Sequence, residues 1–351
     1  MMKQYRKILI VAVMLIAILL LEGIGHGLTN QLSTQSLNET WSQEEKFAQI
    51  SCFFEEGAGI DETQIMPLRQ NIVTAMQEAS IDTDIKNGRS WVDAYSAEGE
   101  LTLMSEQSSM TARAYGVSED FFLFHPMKLL SGNYFGIEDG NHDGVILDEN
   151  VAWQLFGSSN VTGLNVEING IAYVVRGVIK NDKGLFSEKV GEDIPSVYVA
   201  FDVLEAHTAG EDATLGIDNY ELLISNPVKG FGTTTLTNAL ALEEDSYEMV
   251  ENSSRYHLSS RLLTLKNNFY STMKQKTISY PYWENRAKGY EQILQLFLIL
   301  EIICCVYPVI CVLQCLYLVW KKKDVFGNWV KARGGDLYEV IRTHKRKERA
   351  R

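Results

Sequence analysis

Two apolar runs near the ends of the chain constrain it more than any other feature. Residues 8–21 (ILIVAVMLIAILLL) are uniformly apolar and follow Lys3, Arg6 and Lys7. Residues 293–320 are apolar apart from Gln295, Glu301 and Gln314, with Pro308 as a kink, and run into Lys321, Lys322 and Lys323. Segments of this kind are stable when wrapped in lipid, because a helix satisfies its own backbone and the side chains need no water. Ile302 to Trp320 covers about 28 Å at roughly 1.5 Å per residue, enough for the hydrocarbon core. It leaves Glu301 at the outer boundary and residues 293–300 as a stalk. The first run covers only about 21 Å. It suits an uncleaved anchor completed by residues 23–28, and it also fits the apolar region of a cleaved signal.

Basic residues set the expected orientation. The segment after Trp320 holds eleven Lys and Arg against Asp324, Asp336, Glu339 and Glu348. The positive-inside rule places this tail and the short amino terminus in the cytoplasm, and the middle of the chain outside. The whole chain has 32 basic and 45 acidic residues, a net of −13. Such a balance excludes a nucleic-acid binder, which needs clustered cations for counterion release. Its mean hydropathy of −0.09 averages two apolar ends with a polar middle. The domain plan is therefore a cytoplasmic terminus (1–7), a first membrane helix (8–28), an extracytoplasmic domain (29–286), a stalk and second membrane helix (287–320) and a basic tail (321–351).

Within the middle region, residues 47–54 read as a strand and 61–81 as an amphipathic helix. Strand-like alternation returns at 91–103 and 109–117. A compact unit follows: strand 144–147, Asp148 as N-cap, helix 149–156, and a turn at Gly157. Residues 165–168 and 172–179 flank Asn169 and Gly170, the favoured pair for a two-residue hairpin. Strands at 197–201 and 220–225 and helices at 233–243 and 257–276 complete an α+β domain carried by two transmembrane helices. Cys52 is expected to be a buried thiol. The cluster of residues 280–285 (YPYWEN) suits an aromatic belt at the lipid interface.

Signals for chemistry are weak. The six histidines are scattered, with no HExxH, no GxSxG and no GxxxxGK[ST] phosphate loop. Residues 139–150 begin like a calcium loop, but the twelfth position is Asn150 and the acid Glu149 comes one residue early, so a polar turn is the better reading. The sequence points to no catalytic residue, no metal site and no cofactor, and hence to a non-enzyme.

Two blocks carry a family resemblance. Residues 111–122 (TARAYGVSEDFF), then 129–135 (LLSGNYF), 145–157 (VILDENVAWQLFG), Gly163, 168–170 and 173–178 resemble the extracytoplasmic core domain of MacB-like ABC-transporter permeases. Independently, residues 322–327 (KKDVFG) and 331–341 (KARGGDLYEVI) are similar to the cytoplasmic segment after the second span of MacB- and FtsX-like permeases. The resemblance implies a permease-type subunit, without enzymatic activity of its own, that couples a separate ABC ATPase to movement of an extracytoplasmic domain. It also implies that Asp324, Val325, Phe326, Lys331, Ala332, Gly334, Gly335 and Ile341 contact that ATPase. For this tail alone, a plain basic anchor on anionic lipid is the alternative. The family usually carries three spans after the domain, so this chain is expected to be a short form lacking the last two: a split permease completed by a second permease chain or a homodimer, a truncated relic, or an accessory subunit that bears the extracytoplasmic domain. The rival from another class is a two-span receptor or adhesion protein whose domain binds a ligand with no ATPase.

Overall fold

The structure is a computed structural model and describes residues 2–42, 46–58, 60–81, 84–85, 88–135, 142–181, 184–210, 213–243, 245–270 and 278–321. In chain order the elements are α1 (Met2–Thr29), a 3₁₀ turn (Ser33–Gln35), α2 (Leu37–Trp41), β1 (Phe47–Phe54), α3 (Glu62–Glu78), β2 (Asp84–Ile85) and β3 (Gly88–Arg89). Then come β4 (Trp91–Met104), β5 (Ser109–Val117), α4 (Phe121–Phe124), β6 (Leu129–Gly132), β7 (Gly144–Asp148), α5 (Glu149–Phe156), β8 (Asn165–Ile168), β9 (Ile171–Ile179) and α6 (Ser187–Val190). The last are β10 (Ser196–Ala200), α7 (Phe201–Thr208), β11 (Asn219–Ser225), α8 (Phe231–Leu240), β12 (Tyr247–Glu251), a 3₁₀ turn (Asn252–Ser254), α9 (Leu258–Tyr270) and α10 (Tyr282–Lys321). Contacts divide the chain into a folded unit, Gly27–Gln295, and a second unit made of the segments up to His26 and from Leu296. Both α1 and α10 are long and apolar enough to cross a membrane.

The folded unit is built on one ten-stranded sheet of order β12-β1-β11-β4-β5-β10-β7-β9-β6, with β8 paired to both β4 and β9. Because β8 bridges Leu103 and Met104 of β4 to the β9 hairpin, six strands (β4, β5, β10, β7, β9, β8) close into a ring. Strands β12, β1 and β11 form an open arm on the other part of β4. The register makes β4 the shared member: residues 91–96 pair with β11 and residues 96–104 with β5, overlapping at Ser96 alone.

Local chemistry explains the elements. Helix α3 presents Ile65, Leu68, Ile72 and Met76 to the core at spacings of three and four, and Asp61 caps it by accepting from the Thr63 amide. The Asp148 carboxylate accepts from the Val151 amide at 2.6 Å, fixing the start of α5, and from the Ser196 amide at 2.7 Å, tying that cap to β10. Asn169 and Gly170 both take positive φ (+49° and +81°), as a primed hairpin turn between β8 and β9 demands. Several sequence expectations shift, among them the helix expected over 61–81, which spans Glu62–Glu78. Phe201 starts α7 instead of ending a strand, since its ring is needed against Tyr95 at 5.2 Å. The helix expected from 233 begins at Phe231 and ends at Leu240.

Side chains alternate across the strands and give the sheet two unlike faces. One carries Ala48, Ile50, Cys52 and Phe54 of β1 with Tyr220, Leu222 and Ile224 of β11, packed under α3, α8, α5 and α7 in a continuous apolar core. Burial pushes the Cys52 thiol up, as for an inert core cysteine. The opposite face carries Gln49, Ser51, Glu221, Tyr115 and Tyr198, all buried, among aromatic side chains.

Candidate functional site at the root of the stalk helix

The second face is covered by α4, by His125 and by the first turns of α10. Residues Trp283, Ala287, Tyr290 and Leu294 recur at spacings of four, three and four and are all buried. That is the apolar stripe of an amphipathic helix. Trp283 is 4 % exposed. Its ring lies 5.7 Å from Tyr115, 5.7 Å from Phe121 and 4.4 Å from His125, centroid to centroid. Tyr282 shares a hydroxyl contact of 3.2 Å with Tyr198, and Tyr280 meets Phe53 edge to face at 5.4 Å. The reading of residues 280–285 as a lipid-interface belt is therefore corrected. The sheet packs Trp283 and hydrogen-bonds the Tyr282 hydroxyl, and a ring buried against protein is not exposed to lipid headgroups.

A chain of buried polar contacts runs beneath this aromatic layer. Ser51 and Glu221 stand opposite each other across β1 and β11, and the Ser51 hydroxyl donates to Glu221 Oε1 at 3.0 Å. The other carboxylate oxygen of Glu221 meets His125 Nε2. Asn252 donates to Ser51 Oγ at 2.9 Å. Arg255, in the turn after β12, then donates from both terminal nitrogens to the two oxygens of Glu284, each at 2.8 Å, and to Glu291 at 3.1 Å. The side chains of Arg255 and Glu284 are 3 % and 2 % exposed. Burial opposes the Arg255 charge, but the Glu284 carboxylate beside it more than compensates and holds the guanidinium firmly charged. A two-pronged, planar contact of this kind fixes orientation as well as distance.

Further contacts hold the same helix segment. Arg286 pairs with Glu192 at 2.9 Å. Lys288 pairs with Glu248 at 3.2 Å and sits 3.2 Å above the Tyr280 ring. Arg261 of α9 donates to the Leu294 carbonyl at 3.1 Å. The start of α10 is thus bound to β12, the turn after it, α9 and the loop after α6. The sequence held one signal for this, the 4-3-4 spacing from Trp283. The partners could not be read, because Arg255 and Glu221 lie 29 and 63 residues away from Glu284.

The ATPase-contacting segment inferred from the resemblance, with Asp324, Val325, Phe326, Lys331, Ala332, Gly334, Gly335 and Ile341, lies outside the described residues. So do Asp139, Gly140 and Asn141 of the calcium-like stretch. Of its remainder, Asp143 is held by Arg176 at 2.9 Å and His142 by Asp202 at 2.7 Å. Among the described residues no group of three or more His, Cys, Asp or Glu side chains gathers in a way that could hold a metal ion.

The sequence profile of the family described as MacB-like periplasmic core domain matches residues 8–236. The "Macrolide export ATP-binding/permease protein MacB" of Neisseria meningitidis serogroup A is 27 % identical over 172 residues, 47 % of this chain and 26 % of that protein. The protein of the same name from Neisseria gonorrhoeae is 29 % identical over 118 residues, 33 % of this chain and 18 % of that protein. The chain thus spans about a quarter or less of the curated relatives it matches. Among solved structures, the periplasmic region of MacB from Actinobacillus actinomycetemcomitans aligns with a TM-score of 0.41 at 18 % identity, covering 64 % of this chain and 94 % of that one. The extracellular domain of the noncanonic ABC-type transporter YknZ from Gram-positive bacteria aligns at 0.39 and 17 %, covering 58 % and 100 %. The profile match extends from α1 through most of α8, well over half the chain, and the chain belongs to the family of ABC-transporter permeases that carry a MacB-like periplasmic core domain.

Proposed function

We propose that this chain is a non-enzymatic subunit of an ABC-transporter complex in the cell membrane, and that helix α10 carries motion between a cytoplasmic ATPase and the extracytoplasmic domain. The observation that carries this reading is the buried anchoring of α10. A helix of 40 residues, about 60 Å at roughly 1.5 Å per residue, begins with Trp283 and Glu284 locked against the sheet and continues unbroken to Lys321. A mobile stalk would need none of these contacts. A helix that transmits displacement needs its root fixed to what it moves.

In this reading both termini are cytoplasmic, as the basic tail favours, and the segment 324–341 receives the stroke. The 351 residues contain no phosphate loop, so ATP hydrolysis is supplied from outside them. A second permease chain or a second copy completes the membrane part.

Purification of the full-length protein in mild detergent, with mass-spectrometric identification of bound chains, tests the proposal. An ATPase bearing a phosphate loop is expected with the native protein and is expected to be lost with Gly334→Asp or Ala332→Glu. Intact complexes without an ATPase would overturn the coupling role and favour a ligand-binding receptor.

A further inference from the structure

Helix α9 carries its leucines on the outside. The most buried of its described side chains is Arg261, 7 % exposed, which donates to the Leu294 carbonyl of α10. Leu258, Leu262 and Leu263 are 55 %, 45 % and 57 % exposed. Spaced four and five residues along the helix, they share one flank, with Ser259 and Lys266, both exposed, between them. Single exposed leucines are ordinary, whereas three on one helix flank mark a surface that something apolar covers.

Two observations say what covers it. The first is position. The Arg261 contact sets α9 at the level of Leu294. Two residues further along the same helix, about 3 Å at roughly 1.5 Å per residue, Leu296 is exposed, and the exposed Ile299 and Leu300 follow it on a helix apolar enough to cross a membrane. The second is charge. Residues 252–283 contain no Asp or Glu and hold Arg255, Arg261, Lys266, Lys274 and Lys276. Residues 8–320 as a whole carry more than two acids for each base, so this stretch reverses the sign of its surroundings. Anionic headgroups repel the rest of the domain and attract this part of it.

We propose that the leucine flank of α9 rests in the outer headgroup layer of the bilayer around α10, with Leu258, Leu262 and Leu263 against the acyl boundary and Lys266 on the phosphate of an anionic phospholipid. A helix in that layer is held by the apolar area it removes from water and by attraction between its cations and the lipid anions. A flank that mixes leucines with Ser259 and Lys266 suits this layer, where apolar and polar groups are both satisfied, better than a dry protein core. Through Arg261 the foothold is tied to the helix that crosses the membrane. The proposal needs α10 in the bilayer and needs no ATPase, so failure of the coupling role leaves it standing.

Fluorescence of the full-length protein in nanodiscs of phosphatidylcholine and phosphatidylglycerol tests it, with and without bromine on the acyl chains. Bromine quenches an indole on contact, so lost emission reports lipid rather than protein beside the ring. The emission added by Leu262→Trp, read as the difference from the native protein, should fall at least threefold in the brominated discs. Met66→Trp, at a position 68 % exposed on α3 and hence over the opposite face of the sheet, should lose none. Lys266→Glu combined with Leu262→Trp should relieve at least half of the quenching. All of these replace exposed side chains. Quenching at position 262 no greater than at 66 would overturn the proposal and leave the flank to a protein partner. Quenching that Lys266→Glu does not change would overturn the part played by the anionic headgroup.

Discussion

The two faces of the central sheet solve the same packing problem with different chemistry. Under α3, α5, α7 and α8 the face is mostly apolar, from Ile50 and Leu222 to Val199, and is interrupted by Asp93, which pairs with Arg69 of α3 at 2.8 Å and accepts from the Tyr220 hydroxyl at 2.9 Å. Under α4 and the root of α10 it holds Gln49, Ser51, Glu221, His125, Arg255 and Glu284, all buried, within a shell of aromatic rings. Apolar contacts are nondirectional and tolerate small slips between helix and sheet. A bidentate Arg255–Glu284 contact tolerates neither a slip nor a rotation without exposing a buried charge. The first face supplies stability, and the second specifies where one particular helix sits.

Breaking the specified face should have the largest effect. Arg255→Ala leaves Glu284 buried without its cation, and should cost about 3–5 kcal/mol, read by chemical unfolding of the full-length protein in detergent. The double replacement Arg255→Met with Glu284→Leu removes both charges and should recover most of that loss. Its stability would then be near native, and under the proposed coupling role ATPase stimulation would fall, which separates placement from stability. If the single and double variants are equally unstable, the contrast between the faces fails.

On the apolar face, Ile72→Ala should cost about 2–5 kcal/mol and Ile72→Val about 1 kcal/mol, graded by volume as a nondirectional core requires. Gly116→Val probes the same side from the opposite direction. A Cβ there would lie 2.7 Å from Leu204 Cβ, so overpacking against α7 should cost about 1–3 kcal/mol, measured by thermal unfolding.

The smallest effect sharpens the comparison with a charge that has no cation partner among the described residues. Asp218 accepts from the Glu98 amide at 2.6 Å, and burial, with Glu98 and Glu56 nearby, raises its pKa to about 6. The folded state therefore holds this proton more tightly than the unfolded chain, so stability falls as pH rises from about 4 to about 6 and levels off above. Asp218→Asn keeps an acceptor for the amide. It should flatten that slope and leave the protein more stable at pH 7, by on the order of 1 kcal/mol after solvent screening.

Features written in adjacent residues were legible. The Asp148 cap, the Gly157 stop, the Asn169–Gly170 hairpin and the stripe of α3 each depend on neighbours within a few positions. What the sequence concealed depends on distant partners. Tyr282 and Trp283 looked like interface aromatics because their partners, Tyr115, Tyr198 and His125, are more than eighty residues away. Strand β12, with the single buried residue Tyr247 at its start, lacks the alternation that would mark it alone and exists as an edge added to β1. The candidate site was harder still, since its ions span four elements and only their convergence distinguishes them from ordinary surface charge.

The overlap of two ladders at Ser96 has a consequence for how force moves through the domain. Within the sheet, the open arm and the closed ring are joined by a single polypeptide, β4, which works as a common axle. Along a strand, displacement is passed through covalent bonds, which are far stiffer than the lateral hydrogen bonds joining neighbours. A push on the arm beside Arg255 would reach the ring along the sheet through β4, while the root of α10 also bears on the ring directly, through Tyr282 against Tyr198 and Trp283 against Tyr115.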